Sequence, residues 1–182
     1  MSSEHEMEEL QEAAEHGREH SNLAPVSFTM AVLAVMVAVA ALLGHRAHTE
    51  EILKQDKATD TWNFYQAKNI RRNTIEQMDE LLKVLPLKDA VAAEALVKKN
   101  EAYVEKQKGD QEKLQEEAKA LEAEVGMFTH RANHYDLGET LLEVGLVICS
   151  ITLLTKRRMF WLAGIAFGLA GVVATATGAL IH

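Results

Sequence analysis

Apolar positions in this chain follow two different patterns. Residues 25–44, 137–155 and about 160–181 are apolar at nearly every position. A helix of about 20 apolar residues crosses the roughly 30 Å hydrocarbon core of a bilayer, so each run is long enough to span one. The first run, "PVSFTMAVLAVMVAVAALLG", and the third carry no charge, whereas the second contains Glu139 and Glu143. Between the first two runs the pattern changes. Leu114, Ala118, Leu121, Val125, Phe128, Ala132 and Tyr135 recur at alternating steps of four and three, which is a heptad seam. The same register continues through Glu139, Leu142, Leu146, Cys149 and Leu153, with Glu143 flanking it.

Residues 45–136 are polar, charge-rich and nearly free of helix breakers, with Pro86 near the middle. Proline lacks an N–H and its ring clashes with the preceding turn, so a continuous helix should stop there. The expected architecture is all-α: an integral membrane protein with three transmembrane helices. A long antiparallel coiled-coil hairpin would join spans one and two, reaching about 60 Å out from the bilayer at 1.5 Å per residue. The expected segments are an acidic tail (1–24), span one (25–44), the hairpin with its apex near Pro86 (45–136), span two (137–155), a basic turn (156–159) and span three (160–181). Gly109-Asp110 is a candidate break in the descending arm. The ascending arm has a poorer pattern, Phe64, Ala67, Met78, Leu81 and Leu85 sharing one stripe with several polar residues, and its partner could lie in the same chain or another.

Small residues add a packing signal. Ser27, Ala31, Ala34, Ala38 and Ala41 line one side of span one, and Gly164, Gly168, Gly171, Thr175 and Gly178 line one side of span three. Such stripes let helix backbones approach closely in lipid. They predict that spans one and three pack together, or that one pairs across an oligomer interface.

Composition changes this picture little. The 182 residues include two prolines and one cysteine, and abundant Ala, Leu, Glu and Lys favour helix over sheet. A lone Cys149 leaves no intramolecular disulfide. The net charge of −8 is partly concentrated in residues 1–24, where seven glutamates face one arginine, arguing against nucleic acid as a partner. No basic region precedes the first apolar run, so no secretory signal peptide is expected.

The candidate chemistry lies where the charged and apolar patterns meet. Glu139 and Glu143, at i and i+4, share one helix side, and acids inside a membrane usually face a bundle interior or a water-filled cavity. In the hairpin, Arg46 should lie opposite Glu139 and pair with it. Glu143 has no evident basic partner and is the leading functional candidate. His45, His48, His130 and His134 gather at the same boundary with spacings a metal site would need. The seam register points His130 and His134 away from the other arm, so headgroup-level histidines and no metal are expected. "TWNFYQAKNIRR" mixes aromatic and basic residues, as nucleic-acid sites do. Its Trp62 and Tyr65, one turn apart, fit packing against a helix better. Lys156, Arg157 and Arg158 form a short basic turn, which favours the cytoplasm. That places the N-terminus inside and the hairpin outside, periplasmic for a bacterial inner membrane.

"LLGHRAHTEEILKQDKATDTWNFYQAKNIRR" and "YDLGETLLEVGLVICSITLLTKRRMFW" together resemble a bacterial membrane-protein family known as domain of unknown function 4337. The resemblance covers most of the chain after about Pro25, through His45-Arg46-Ala47-His48, the Trp62 to Arg72 block and the acidic entry to span two. It implies a three-span membrane protein and no particular activity.

No GxSxG, HExxH, P-loop or paired-cysteine motif is present, so no enzyme and no cofactor are expected. The leading expectation is a homo-oligomeric membrane scaffold or adaptor. An oligomeric ion channel or proton-linked transporter using Glu139 and Glu143 comes second, and an accessory subunit of a larger membrane complex third. The expected partners are the bilayer, further copies of the chain and another membrane protein, without nucleic acid.

Overall fold

A computed structural model describes residues 2–86 and 89–181, with side chains from Leu23 onward. Runs of Ala, Leu, Glu, Lys and Met, all strong helix formers, give three helices: α1 (Ser2–Val84), α2 (Ala90–Thr155) and α3 (Arg158–Leu180). Each holds a stretch long and apolar enough to cross a membrane. α2 runs unbroken through Gly109-Asp110, which is therefore no break. One interior glycine costs only about 1 kcal/mol, and good helix formers on both sides outweigh it.

α1 stops before Pro86, and α2 is capped by Asp89. The Asp89 carboxylate accepts from the Ala92 amide at 3.0 Å and its carbonyl from the Ala93 amide at 3.3 Å. A tighter reversal joins α2 to α3. Lys156 adopts a left-handed φ of 53° while its amide donates to the Thr152 carbonyl at 2.8 Å. The basic turn is thus shorter than 156–159, with Arg158 already the first residue of α3.

The chain forms two compact units, one built from residues up to His48 and from Thr129 on, the other from Thr49–Phe128. In the first unit Val26, Leu33, Ala40 and Ala47 are buried at every seventh position of α1. Ala132, Tyr135, Leu142 and Cys149 are buried on α2. Leu33 and Ala40 share one buried cluster with Leu142 and Cys149.

α3 packs through Gly164, Gly168, Gly171 and Gly178, all buried. A Cβ on Gly171 would lie 2.8 Å from the Gly138 carbonyl oxygen, and one on Gly138 would strike the Thr175 hydroxyl. The glycine stripe of α3 therefore lies mainly against α2, and only its Gly168 position abuts α1, at Leu33. α1 and α3 thus do pack, at Leu33 and Gly168, but of the two expected uses of the stripes a direct pairing of one with the other is not seen within the chain. Ser27, Ala31, Ala34 and Ala38 are exposed and Ala41 is half-buried. The reason is that α2 brings Gly138 and Gly145 beside its own seam, giving α3 a surface of closer approach.

In the second unit α1 and α2 run antiparallel. Lys54 pairs with Glu124, Lys68 with Asp110 at 2.7 Å, and Asn100 donates to Asp79 at 2.6 Å. Here the inward residues of α2 include two glutamines. Gln107 and Gln111 are buried along with Val104 and Ala118. Lys68 donates to Gln107 at 3.3 Å and Arg72 to Gln111 at 2.7 Å. The inward side of α1 is thus partly polar, whereas Phe64, Ala67, Met78, Leu81 and Leu85 are all exposed. Phe64, Ala67, Met78 and Leu81 each precede an inward residue (Tyr65, Lys68, Asp79, Leu82) by one position, about 100° around the helix.

Candidate functional site

In the first unit α1 and α2 approach at Gly44. A Cβ there would meet the Tyr135 Cβ at 3.6 Å and the Asp136 carboxylate at 3.2 Å. Beside it Ala47, Ala132 and Tyr135 form a buried cluster with Leu43. At this level His48 Nε2 and the Asp136 carboxylate are 3.1 Å apart, each side chain about half exposed. The expected Arg46–Glu139 ion pair is absent among the described residues. Ala47 takes the inward position, so Arg46, one residue earlier, turns about 100° away and is exposed. Glu139 is half-buried on the α2 seam.

The four histidines do not converge. His134 backs onto Gly178, with its Nδ1 3.5 Å from the Thr177 hydroxyl, on the α3 side of α2. His45 and His130 are exposed. Among the described residues no group of three or more His, Cys, Asp or Glu side chains could hold a metal.

Glu143 lies deeper than a boundary position. Asp136 faces Gly44, so seven residues on along α2 and seven back along the antiparallel α1, Glu143 is level with Val37. That is about 10 Å into the apolar segments. Glu143 is nevertheless exposed. It sits on the flank of α2 away from Gly138 and Gly145, which face α3.

α1 shows the same division. α3 reaches its Leu33 and Thr29, the latter through a hydrogen bond from Trp161 Nε1 at 3.1 Å. Ala31, Ala34, Ala38 and Ala41 each follow a seam residue and so line the opposite flank. The bundle therefore has one face covered by α3 and one open face. The open face carries small residues of α1 beside Asp136, Thr140 and Glu143 of α2.

The second unit engages the aromatic and basic block internally. Trp62 and Tyr65 stack edge to face, with centroids 5.4 Å apart, and Trp62 Nε1 donates to Glu122 at 2.8 Å. A hydrogen bond from Lys68 holds the Asp110 carboxyl below the usual carboxylate range. Burial opposes this, and the charges of Lys68, Lys106 and Lys113 reinforce it.

Residues 22–181 match a family model described as Domain of unknown function (DUF4337). The chain belongs to that family. The DUF4337 match takes in all of α2 and α3 and the apolar segment of α1, leaving out most of the acidic tail. No curated protein and no solved structure matches the chain.

Sequence reasoning missed Asp136 as the partner of His48, and Gly138 and Gly145 as the surface for α3. The signal was present, because two glycines seven residues apart beside the α2 seam mark a second close-packed flank.

Proposed function

We propose that this protein is a non-enzymatic, homo-oligomeric membrane scaffold or adaptor. In this reading three helical segments span a bilayer, and residues 45–136 stand out from it as an antiparallel coiled-coil hairpin that makes protein contacts. The supporting observation is the outward side of α1, where Phe64 is 64% exposed, Met78 53% and Leu81 60%, with Arg71 and Thr74 between Phe64 and Met78. Inward positions hold polar pairs such as Arg72 with Gln111, which set register at some cost in stability. Large apolar side chains left outside such a seam offer contacts to another chain. The Lys156-Arg157-Arg158 turn favours the cytoplasm, with the hairpin in the periplasm of a bacterial inner membrane.

Native mass of the purified protein in nanodiscs tests this reading. Two or more copies per particle are expected, with a smaller mass for the triple variant Phe64→Ser, Met78→Ser, Leu81→Ser. A monomeric wild type sinks it.

A second reading, an oligomeric ion channel or proton-linked transporter, is favoured by Glu143. A carboxylate deep in a bilayer costs about 2.5–3.5 kcal/mol on insertion scales, and such acids commonly line ion pathways. Three spans are too few to enclose a pathway, so several copies would be needed. Flux through wild type in liposomes, abolished by Glu143→Gln, would support it; a wild type without flux disposes of it.

A further inference from the structure

We infer that the open face of the three-helix bundle, carrying Ala31, Ala34 and Ala38 of α1 and Glu143 of α2, is an interface with a second copy of this chain. The two copies are related by a two-fold axis running along the helices. This inference rests on the homo-oligomeric reading and adds to it a second contact surface, apart from the outward Phe64, Met78 and Leu81 side of α1.

α3 occupies one side of the α1–α2 pair, through Gly164 and Gly171 against α2 and Gly168 against Leu33. The opposite side has no helix over it among the described residues. On that side the flank of α1 is small (Ala31, Ala34, Ala38), whereas the flank of α2 is larger and polar (Asp136, Glu143, Val147), all six residues being exposed. Two copies in one membrane with the same orientation can share only an axis along the membrane normal. A two-fold of that kind sets α1 of each copy against α2 of the other at equal depth.

The surface is complementary to itself under this operation. Glu143, level with Val37, arrives beside Ala38 of the second copy, and Val147 beside its Ala34. Large side chains thus meet small ones. At the end of the face Asp136, level with Gly44, meets His45 of the second copy, a carboxylate against an imidazole. Lipid tails offer Glu143 no hydrogen-bond partner, whereas this arrangement turns both Glu143 side chains toward the axis and away from lipid. The result is a four-helix core from α1 and α2 of both copies, with α3 of each copy outside it.

Mixed cross-linking in nanodiscs tests this. Copies carrying Ala34→Cys and differently tagged copies carrying Val147→Cys are co-reconstituted and oxidised. A disulfide between the two tags is expected, at least tenfold above the background from wild-type chains, whose Cys149 is buried. Leu169→Cys, on an exposed position of α3, replaces Ala34→Cys as the control and should stay at background. The double variant Ala34→Leu, Ala38→Leu changes exposed residues only, so it should keep its fold and lose the two-copy mass. An oligomeric wild type with no Ala34–Val147 disulfide overturns this interface and leaves the scaffold reading standing. A monomeric wild type overturns both.

Discussion

A Cβ atom on Gly145 would lie 2.8 Å from the carbonyl oxygen of Gly164 and 3.0 Å from the amide nitrogen of Gly168. α2 and α3 therefore touch through their backbones, and the neighbours are main-chain atoms that cannot swing aside. Gly145→Leu should destabilise the bundle by about 1–3 kcal/mol or more, the range for overpacking a close contact. Thermal unfolding in detergent reads this. Gly126→Leu is the control, since a Cβ at Gly126 meets nothing within 4 Å, and it should shift the midpoint little.

Gly109 lies in the interior of α2, where an added Cβ would meet nothing within 4 Å, and its φ is not positive. Gly109→Ala should therefore stabilise the second unit by about 0.5–1 kcal/mol, chiefly by restricting the unfolded chain. Denaturant unfolding followed by helical circular dichroism measures it. A loss of stability would mean that α2 bends at this position.

Arg72 and Gln111 form a polar layer between the two helices of the second unit, with Arg72 Nε and Gln111 Nε2 buried and making no hydrogen bond, although Arg72 Nε lies 3.8 Å from the Glu76 carboxylate. Gln111→Leu alone removes the acceptor of Arg72 Nη1, leaving Asn69 on Nη2 at 2.8 Å, and should cost about 1–3 kcal/mol. Adding Arg72→Met should recover that loss, because replacing a buried polar pair by apolar residues is commonly neutral or stabilising. Additive losses in the double-mutant cycle would show that the layer contributes no coupling.

The depressed Asp110 carboxyl makes the stability of the second unit depend on pH. Its folded value lies below the usual carboxylate range, so its contribution is fully present above that range. It is lost as pH falls through the depressed value. Acid titration of the midpoint should therefore be shallower in Asp110→Asn than in wild type. High salt should also shrink the difference, because Asp110 and Lys68 are both partly exposed. Identical titration curves for the two proteins would refute the assignment.

The seam of α2 from Leu114 to Tyr135 was legible in the sequence because its inward residues are apolar there, and all seven are buried or half-buried. Higher on α2 the inward residues are Gln107 and Gln111, which no hydrophobic pattern can flag. The apolar stripe on α1, whose partner the sequence left open between the same chain and another, does not face α2, for the complementary reason. Phe64 and Met78 are apolar without being inward, since the facing helix is met by Lys68 and Arg72 instead. Glu143 could be singled out from its apolar surroundings, but its depth followed only from the pairing of Gly44 with Asp136.

By itself, the chain's pattern of apolar runs and breakers determined three long helices, reversals at Pro86 and at Lys156, and three segments able to span a bilayer. Those outcomes depend on local propensity and on summed hydrophobicity, both of which are properties of short windows of sequence. Only the tertiary structure decided that α3 meets α2 through glycines, that His48 rather than Arg46 finds an acid, and that Ala31, Ala34 and Ala38 face outward. Those outcomes depend on which of several flanks, each small enough to pack, permits the closest backbone approach. That choice is a competition between surfaces far apart in sequence, and it is settled only when all three helices are in place.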